Sequence, residues 1–164
     1  LHPLVISMNC SSLNLSNDNF ITDTLNILKE EKVDSHWFCF ELSENVLYEH
    51  RHKAPIFLSK LNQSGLKLIV DDFGSGVSSL IWLKTLPVIE LKLDRSLLLD
   101  PNNTEDNEII SALIAMSHKL GWKVTAKGVE LSEQTALLAQ EHCDNAQGYM
   151  FGKPMRFDEI LQMV

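Results

Sequence analysis

Six short runs rich in β-branched and aromatic residues recur along the chain, at 4–9, 37–42, 66–71, 88–93, 122–128 and 146–151, and each is followed by a stretch with helical spacing. Several of these runs are almost continuously apolar instead of alternating, which is the pattern of strands covered on both faces and hence of a parallel sheet. The intervening segments supply the crossovers. Residues 17–32 carry Phe20, Ile21, Leu25 and Leu28 as one apolar stripe, and 54–64 form a second helix stopped by Gly65. A short helix with Leu80, Leu83 and Leu86 ends before Pro87. The longest, 104–120, has Glu105 and Asp106 in its first turn, Lys119 in its last and Gly121 just beyond, as the helix dipole and C-cap chemistry favour. A fifth starts at Ser132 as its N-cap and carries Leu137 and Leu138, and residues 158–164 read as the opening of one more. A parallel strand pair needs a crossover of about a dozen residues, which every gap allows. The order therefore predicts an α/β fold, either a doubly wound open sheet or a barrel. Neither GxGxxG nor GxxxxGK[ST] follows the first strand, so the nucleotide-binding open sheet loses its main support.

With 45% hydrophobic and 22% charged residues, the 164-residue chain can bury a sizeable core as one domain. It holds no run of about 18 apolar residues and its start lacks the marks of a signal peptide, so the expected setting of the domain is cytoplasmic, in a protein that is itself membrane-anchored or not. Leu1 is not an initiator methionine, and the expectation is a chain that begins inside a longer product. Cys10, Cys39 and Cys143 are odd in number and far apart, which fits reduced thiols better than a disulfide framework. The histidines show no zinc-site spacing. A formal net charge of −8 argues against a basic face for polymeric nucleic acid. It leaves open a small anionic ligand bridged by metal ions.

Polar residues gather at the C-terminal ends of the apolar runs: Asn9, Glu41, Asp71 with Asp72, Lys92, Lys127 with Glu130, and Gln147. In a (β/α)8 barrel that rim is where reacting groups converge. Taken singly, Asn9 could satisfy a loop, Glu41 could pair with Lys92 as a structural bridge, and Gln147 could cap a helix. Two adjacent carboxylates after Leu68-Ile69-Val70 are harder to dismiss, because they repel unless a cation or a helix N-terminus neutralises them. Oxygen donors without sulfur or imidazole favour a hard divalent ion such as Mg²⁺ or Mn²⁺.

The segment Asp71-Asp72-Phe73-Gly74-Ser75-Gly76-Val77-Ser78-Ser79-Leu80 closely resembles the DDFGxGxSSL loop of EAL domains, the barrel domains of bacterial cyclic di-GMP phosphodiesterases. ISMNCSS, FELSEN, TLPVIELKLDRSLL and NAQGYMFGKPM are similar, in order, to further segments of that family. The resemblance covers the whole chain and implies a (β/α)8 TIM-like barrel of which the last six βα units are present. It implies Asn9, Glu41 and Asp71 as metal ligands, Asp72 as the second-metal carboxylate, Lys92 beside the attacking water, and Gln147 in the active site. Glu44 and the loop with Phe73, Gly74, Ser75, Gly76, Ser78 and Ser79 resemble the element that couples the substrate site to a dimer contact, which implies a homodimer. The implied reaction opens one phosphodiester bond of cyclic di-GMP to give pGpG. A sensor or diguanylate-cyclase-like domain commonly precedes such domains.

Two departures stand out. The family's first two strands, including the Glu-Ala-Leu strand whose glutamate also binds metal, have no counterpart in residues 1–164, so a partial EAL domain is expected, completed from upstream or by a partner. And where the family has AEGVE, this chain has Ala126-Lys127-Gly128-Val129-Glu130. Lys127 stands at the position that resembles the general-base glutamate. An ammonium cannot ligate a metal and, at an ordinary pKa, cannot accept a proton at neutral pH. The leading expectation is a domain that binds cyclic di-GMP but hydrolyses it poorly or not at all. One alternative is an active phosphodiesterase, with Glu130 as base or Lys127 turned outward; the other is a protein-interaction scaffold without nucleotide affinity.

Overall fold

The computed structural model describes residues 5–75, 83, 84 and 86–161. All six apolar runs become strands: β1 (Ile6–Asn9), β2 (Phe38–Ser43), β3 (Lys67–Phe73), β4 (Val88–Leu93), β5 (Lys123–Lys127) and β6 (Asn145–Gln147). They pair in parallel in the order β1-β2-β3-β4-β5-β6. Strand order that follows chain order has no switch point, and right-handed crossovers then put every connecting helix on the same face. This is barrel-type winding and excludes the doubly wound alternative.

The helices are α1 (Ser12–Ser16), α2 (Phe20–Glu30), α3 (Glu44–Glu49), α4 (Ala54–Gln63), α5 (Thr104–Lys119), α6 (Ser132–Gln140) and α7 (Phe157–Ile160). The core lies between them and the sheet. Phe40 and Leu42, Leu68 and Val70, Leu91 and Leu93, and Val124 and Ala126 are buried in one cluster with Leu58 and Leu61 of α4 and Ile110 and Ile114 of α5. The Phe20 ring of α2 sits 5.3 Å from that of Phe40. The alternate residues of the same strands face the other way. Ser7, Cys39, Ile69, Lys92, Thr125 and Gln147 line a concavity of about 680 Å³. The helix side is apolar, while the concave side mixes apolar, small and charged residues, and runs such as Phe38–Ser43 look continuous because their few inward charges are embedded among hydrophobic neighbours.

Other boundaries shift for local reasons. Of the run at 146–151 only Ala146 and Gln147 are strand, in β6 with Asn145 before them; the chain then turns, with the Phe151 N–H bonded to the Gly148 carbonyl at 3.0 Å. Leu131, not Ser132, is the N-cap of α6. Capping comes instead from Gln134, whose Oε1 accepts from the Glu130 and Leu131 N–H groups at 2.7 and 2.9 Å. Its Nε2 donates to the Leu98 carbonyl at 2.6 Å. The first long helix is shorter than 17–32, since Asn17 closes a turn by accepting from the Asn19 N–H and Lys32 takes a left-handed φ of 57°. Of the residues expected to form the short helix, Leu83 and Leu86 are buried, and Leu80 lies outside the described residues. Helices α1 and α3, and 3₁₀ turns at Ser35–Trp37 and Arg95–Leu98, are additions to the sequence-based reading.

Gly148 fixes how the last strand meets the fifth. A Cβ there would stand 2.0 Å from the Val129 carbonyl oxygen, and the Val129 N–H donates to the Gln147 carbonyl at 3.1 Å. Gly148→Ala is expected to destabilise the domain by about 1–3 kcal/mol, read as a lower urea midpoint at unchanged slope. A midpoint equal to wild type contradicts this close approach.

Candidate functional site at the strand C-termini

In a regular strand Asp71 and Asp72 would point to opposite faces. Here β3 carries a bulge: Val70 pairs with Leu91 and Phe73 with Leu93, so three steps on β3 match two on β4. Asp72 absorbs the extra residue with a left-handed φ of 52°, a conformation Asp tolerates better than most residues. Both carboxylates consequently reach the same cation. Lys127, the last residue of β5, donates from Nζ to Asp71 Oδ1 and to Asp72 Oδ1, each at 2.7 Å. The side chains of Asp71, Lys127 and Asp72 are 13%, 25% and 42% exposed, so the ammonium lies between a half-buried carboxylate and a more solvent-facing one. Burial pulls the Lys127 pKa down, but the hydrogen bonds and charges of Asp71 and Asp72 outweigh it and hold it above the ordinary lysine value. Lys127 is turned inward, and its neighbours favour the ammonium form.

Glu41 and Lys92 form a second ion pair on the concave side, Nζ to Oε1 at 2.5 Å, with both residues buried. This bridge joins β2 to β4 across β3, and each member relieves the other's desolvation. Asn9 is the register partner of Glu41 on β1. Glu44, buried in the first turn of α3, accepts from the Gly74 N–H at 3.0 Å. Gly74 has φ +97°, and a Cβ on it would meet Leu97 at 3.1 Å. Ser75 Oγ donates to the Asp72 carbonyl at 2.7 Å, and Phe73 is buried. Gly76, Val77, Ser78 and Ser79 lie outside the described residues. Gln147 is the register partner of Lys127. It lines an adjoining cavity of about 400 Å³ with Lys127, Glu130, Arg95 and Tyr149.

Some contributors were not singled out from sequence. Asp94 caps the 3₁₀ turn at Arg95–Leu98 through the Ser96 N–H at 2.9 Å, and its own N–H bonds the Phe73 carbonyl at 3.0 Å, which ties the end of the bulged strand to the loop after β4. Burial raises its pKa, but Ser96 and the charges of Lys127 and Arg95 hold it lowered. Gly128 has φ +75° and would place a Cβ 2.6 Å from that of Arg95. The signal for both lay inside quoted stretches, LKLDRSLL and AKGVE.

The donor chemistry separates two cation positions. Asn9, Glu41 and Asp71 offer only oxygens, suited to Mg²⁺ or Mn²⁺. Among the described residues no three His, Cys, Asp or Glu side chains form a metal-holding group, so such a position would need the Asn9 amide as well. Near Asp71 and Asp72 one oxygen of each carboxylate faces the Lys127 ammonium, and repulsion between that ammonium and a further cation at 4 Å is about 4 kcal/mol per unit of charge at intermediate dielectric.

Comparison with known proteins gives the lineage. The EAL-domain family profile matches residues 1–154. The chain belongs to the EAL-domain family. It is 37% identical over 153 residues to the cyclic di-GMP phosphodiesterase NbdA of Pseudomonas aeruginosa, covering 93% of this chain and 20% of NbdA. The structure of the MucR phosphodiesterase in complex with c-di-GMP superposes with a TM-score of 0.89 at 30% identity, over 95% of this chain and 64% of that one. The EAL domain of Mycobacterium smegmatis DcpA gives 0.91 at 32% identity, over 97% and 71%. The chain thus has the α/β barrel fold of EAL domains and is part of the cyclic di-GMP phosphodiesterase family. It spans about a fifth of the length of the curated relatives it matches. Among the described residues no helix is long and apolar enough to cross a membrane.

Replacing Lys127 by Met strands two neighbouring carboxylates, and a loss of about 1–3 kcal/mol is expected, discounted from a fully buried pair because Asp72 is partly solvated. The pH dependence has a defined sign. Because the folded-state pKa of Lys127 is raised, its contribution is complete below the unfolded value of about 10.4 and is lost as pH rises through the folded value. The stability difference between wild type and Lys127→Met, measured by denaturant unfolding, should therefore be flat from pH 7 to 9 and shrink above about 10.4. A difference that grows with pH in that window contradicts the assignment.

Proposed function

We propose that this EAL domain binds cyclic di-GMP together with one divalent ion, Mg²⁺ or Mn²⁺, and hydrolyses it to pGpG weakly or not at all. The observation that carries this is the Lys127 ammonium, held by Asp71 and Asp72 at the position that resembles the family's general base. Asn9, Glu41 and Asp71 would hold the ion, which when bound supplies electrostatic stabilisation to a phosphodiester oxygen. Lys92 leaves Glu41 to orient water or to offset charge on the phosphoryl group, and Gln147 contacts the ligand from the next strand. Lys127, protonated, cannot take the proton of an attacking water, while Asp72 is committed to it. Without a positioned base the expected rate loss is about 10²–10⁴.

The Glu44 link to Gly74 supports reading the loop that follows β3 as a coupling element between ligand site and a homodimer contact. A cytoplasmic setting and a preceding sensor or diguanylate-cyclase-like domain are part of the same proposal. An active phosphodiesterase remains the second reading for one reason: Glu130 lines the cavity that Lys127 also borders and could act as the base.

The test is pGpG release from cyclic di-GMP by the full-length protein in Mg²⁺ or Mn²⁺, comparing wild type with Lys127→Glu. A gain in the variant of about 10²-fold or more is expected. Equal, substantial rates would sink the impaired-enzyme reading in favour of Glu130, and calorimetry without heat on addition of cyclic di-GMP would move the assignment to a scaffold.

A further inference from the structure

We propose that the Lys127 ammonium is a built-in counter-ion of the Asp71 and Asp72 carboxylates, occupying the role of a second divalent cation, so that the site takes at most one metal ion. This deepens the reading above and rests on it for the identity of the anionic ligand.

Geometry comes first. One Nζ contacts one oxygen of each carboxylate at 2.7 Å, so a single cation bridges both. A divalent ion bridging two carboxylates does the same at about 2.0–2.6 Å; the ammonium performs it at hydrogen-bond length. The left-handed backbone at Asp72 and the bulge in β3 aim both side chains at that point. Rearrangement to admit a metal would have to undo this convergence or expel a partly buried ammonium.

Charge points the same way. The five side chains joined by these bonds, Glu41, Lys92, Asp71, Asp72 and Lys127, leave one net negative charge, which one divalent ion converts to one net positive charge, matching one phosphodiester anion. With a carboxylate in place of Lys127 the same set would need two divalent ions to reach that state. A lysine carries the same charge as a glutamate with a divalent ion on it. Exchange of one for the other therefore removes a metal without changing what the ligand meets.

The experiment counts ions. The full-length protein is titrated with Mn²⁺, with and without cyclic di-GMP, and bound Mn²⁺ is read by electron paramagnetic resonance and equilibrium dialysis. Wild type is expected to hold no more than one Mn²⁺ per domain and Lys127→Glu two. Lys127→Met, which removes the ammonium without adding a ligand, should bind Mn²⁺ at least about tenfold more tightly than wild type, a conservative fraction of the electrostatic term. Lys127→Arg keeps the charge and should match wild type, which holds the test open should the Met variant fold poorly. Two Mn²⁺ per wild-type domain, or equal Mn²⁺ affinity in wild type and Lys127→Met, would overturn the proposal. If Lys127→Glu takes two ions and stays inactive, the counter-ion assignment stands and the catalytic reading falls. If Lys127→Glu becomes active while wild type already holds two ions, the reverse holds.

Discussion

Two carboxylates adjacent in sequence share one face of a partly buried rim only when their repulsion is neutralised, and in this domain the side chain of Lys127 stands between them. The requirement reaches backwards into the fold. It needs the bulge that turns Asp72 to the same side as Asp71, and it needs β5 to end beside β3's far neighbour with its last side chain directed inward. Gly128 and Gly148 allow the chain after β5 to fold back against Arg95 and the Val129 backbone. Gln134 then anchors the residues that follow to α6 and to Leu98.

On the proposed function, the same interaction separates binding from chemistry. An EAL-type rim that keeps its all-oxygen donors and its Glu41–Lys92 pair still presents a surface on which an anion and a hard cation can meet. On the proposed function, what it no longer presents at that position is a group able to receive a proton, because the neighbours of Lys127 stabilise its ammonium form. On that reading stability and activity are opposed at this one residue: the charge that neutralises Asp71 and Asp72 is the charge that removes a base.

Sequence patterning carried the architecture well wherever burial dictates residue type. The apolar strand set that packs on the helices, from Phe40 to Ala126, points to a parallel α/β sheet, while the sequential strand order that selects barrel winding over a doubly wound sheet comes from the structure. It was less informative where side-chain hydrogen bonds override propensity. Helix α6 begins one residue away from the expected cap because Gln134, buried, reaches back to two backbone N–H groups, and nothing in the composition of Leu131 to Gln134 announces that choice over Ser132. The last strand stops at Gln147 because Gly148 must lie on Val129, a contact between segments that periodicity does not encode. For the site, strand alternation puts Asp71 on the same concave face as Ile69, toward Lys127. The part played by Asp72 was not legible, since alternation puts it with Val70 on the helix side until the bulge is known.

The most direct test is a double-mutant cycle between Lys127→Met and Asp71→Asn, with stability measured by denaturant unfolding at neutral pH and low salt. A bridge of the kind described predicts a coupling of about 1 kcal/mol or more, with Asp71→Asn costing much less in the Met background than in wild type. Additive effects, with coupling indistinguishable from zero, would show that the ammonium does not hold these carboxylates together.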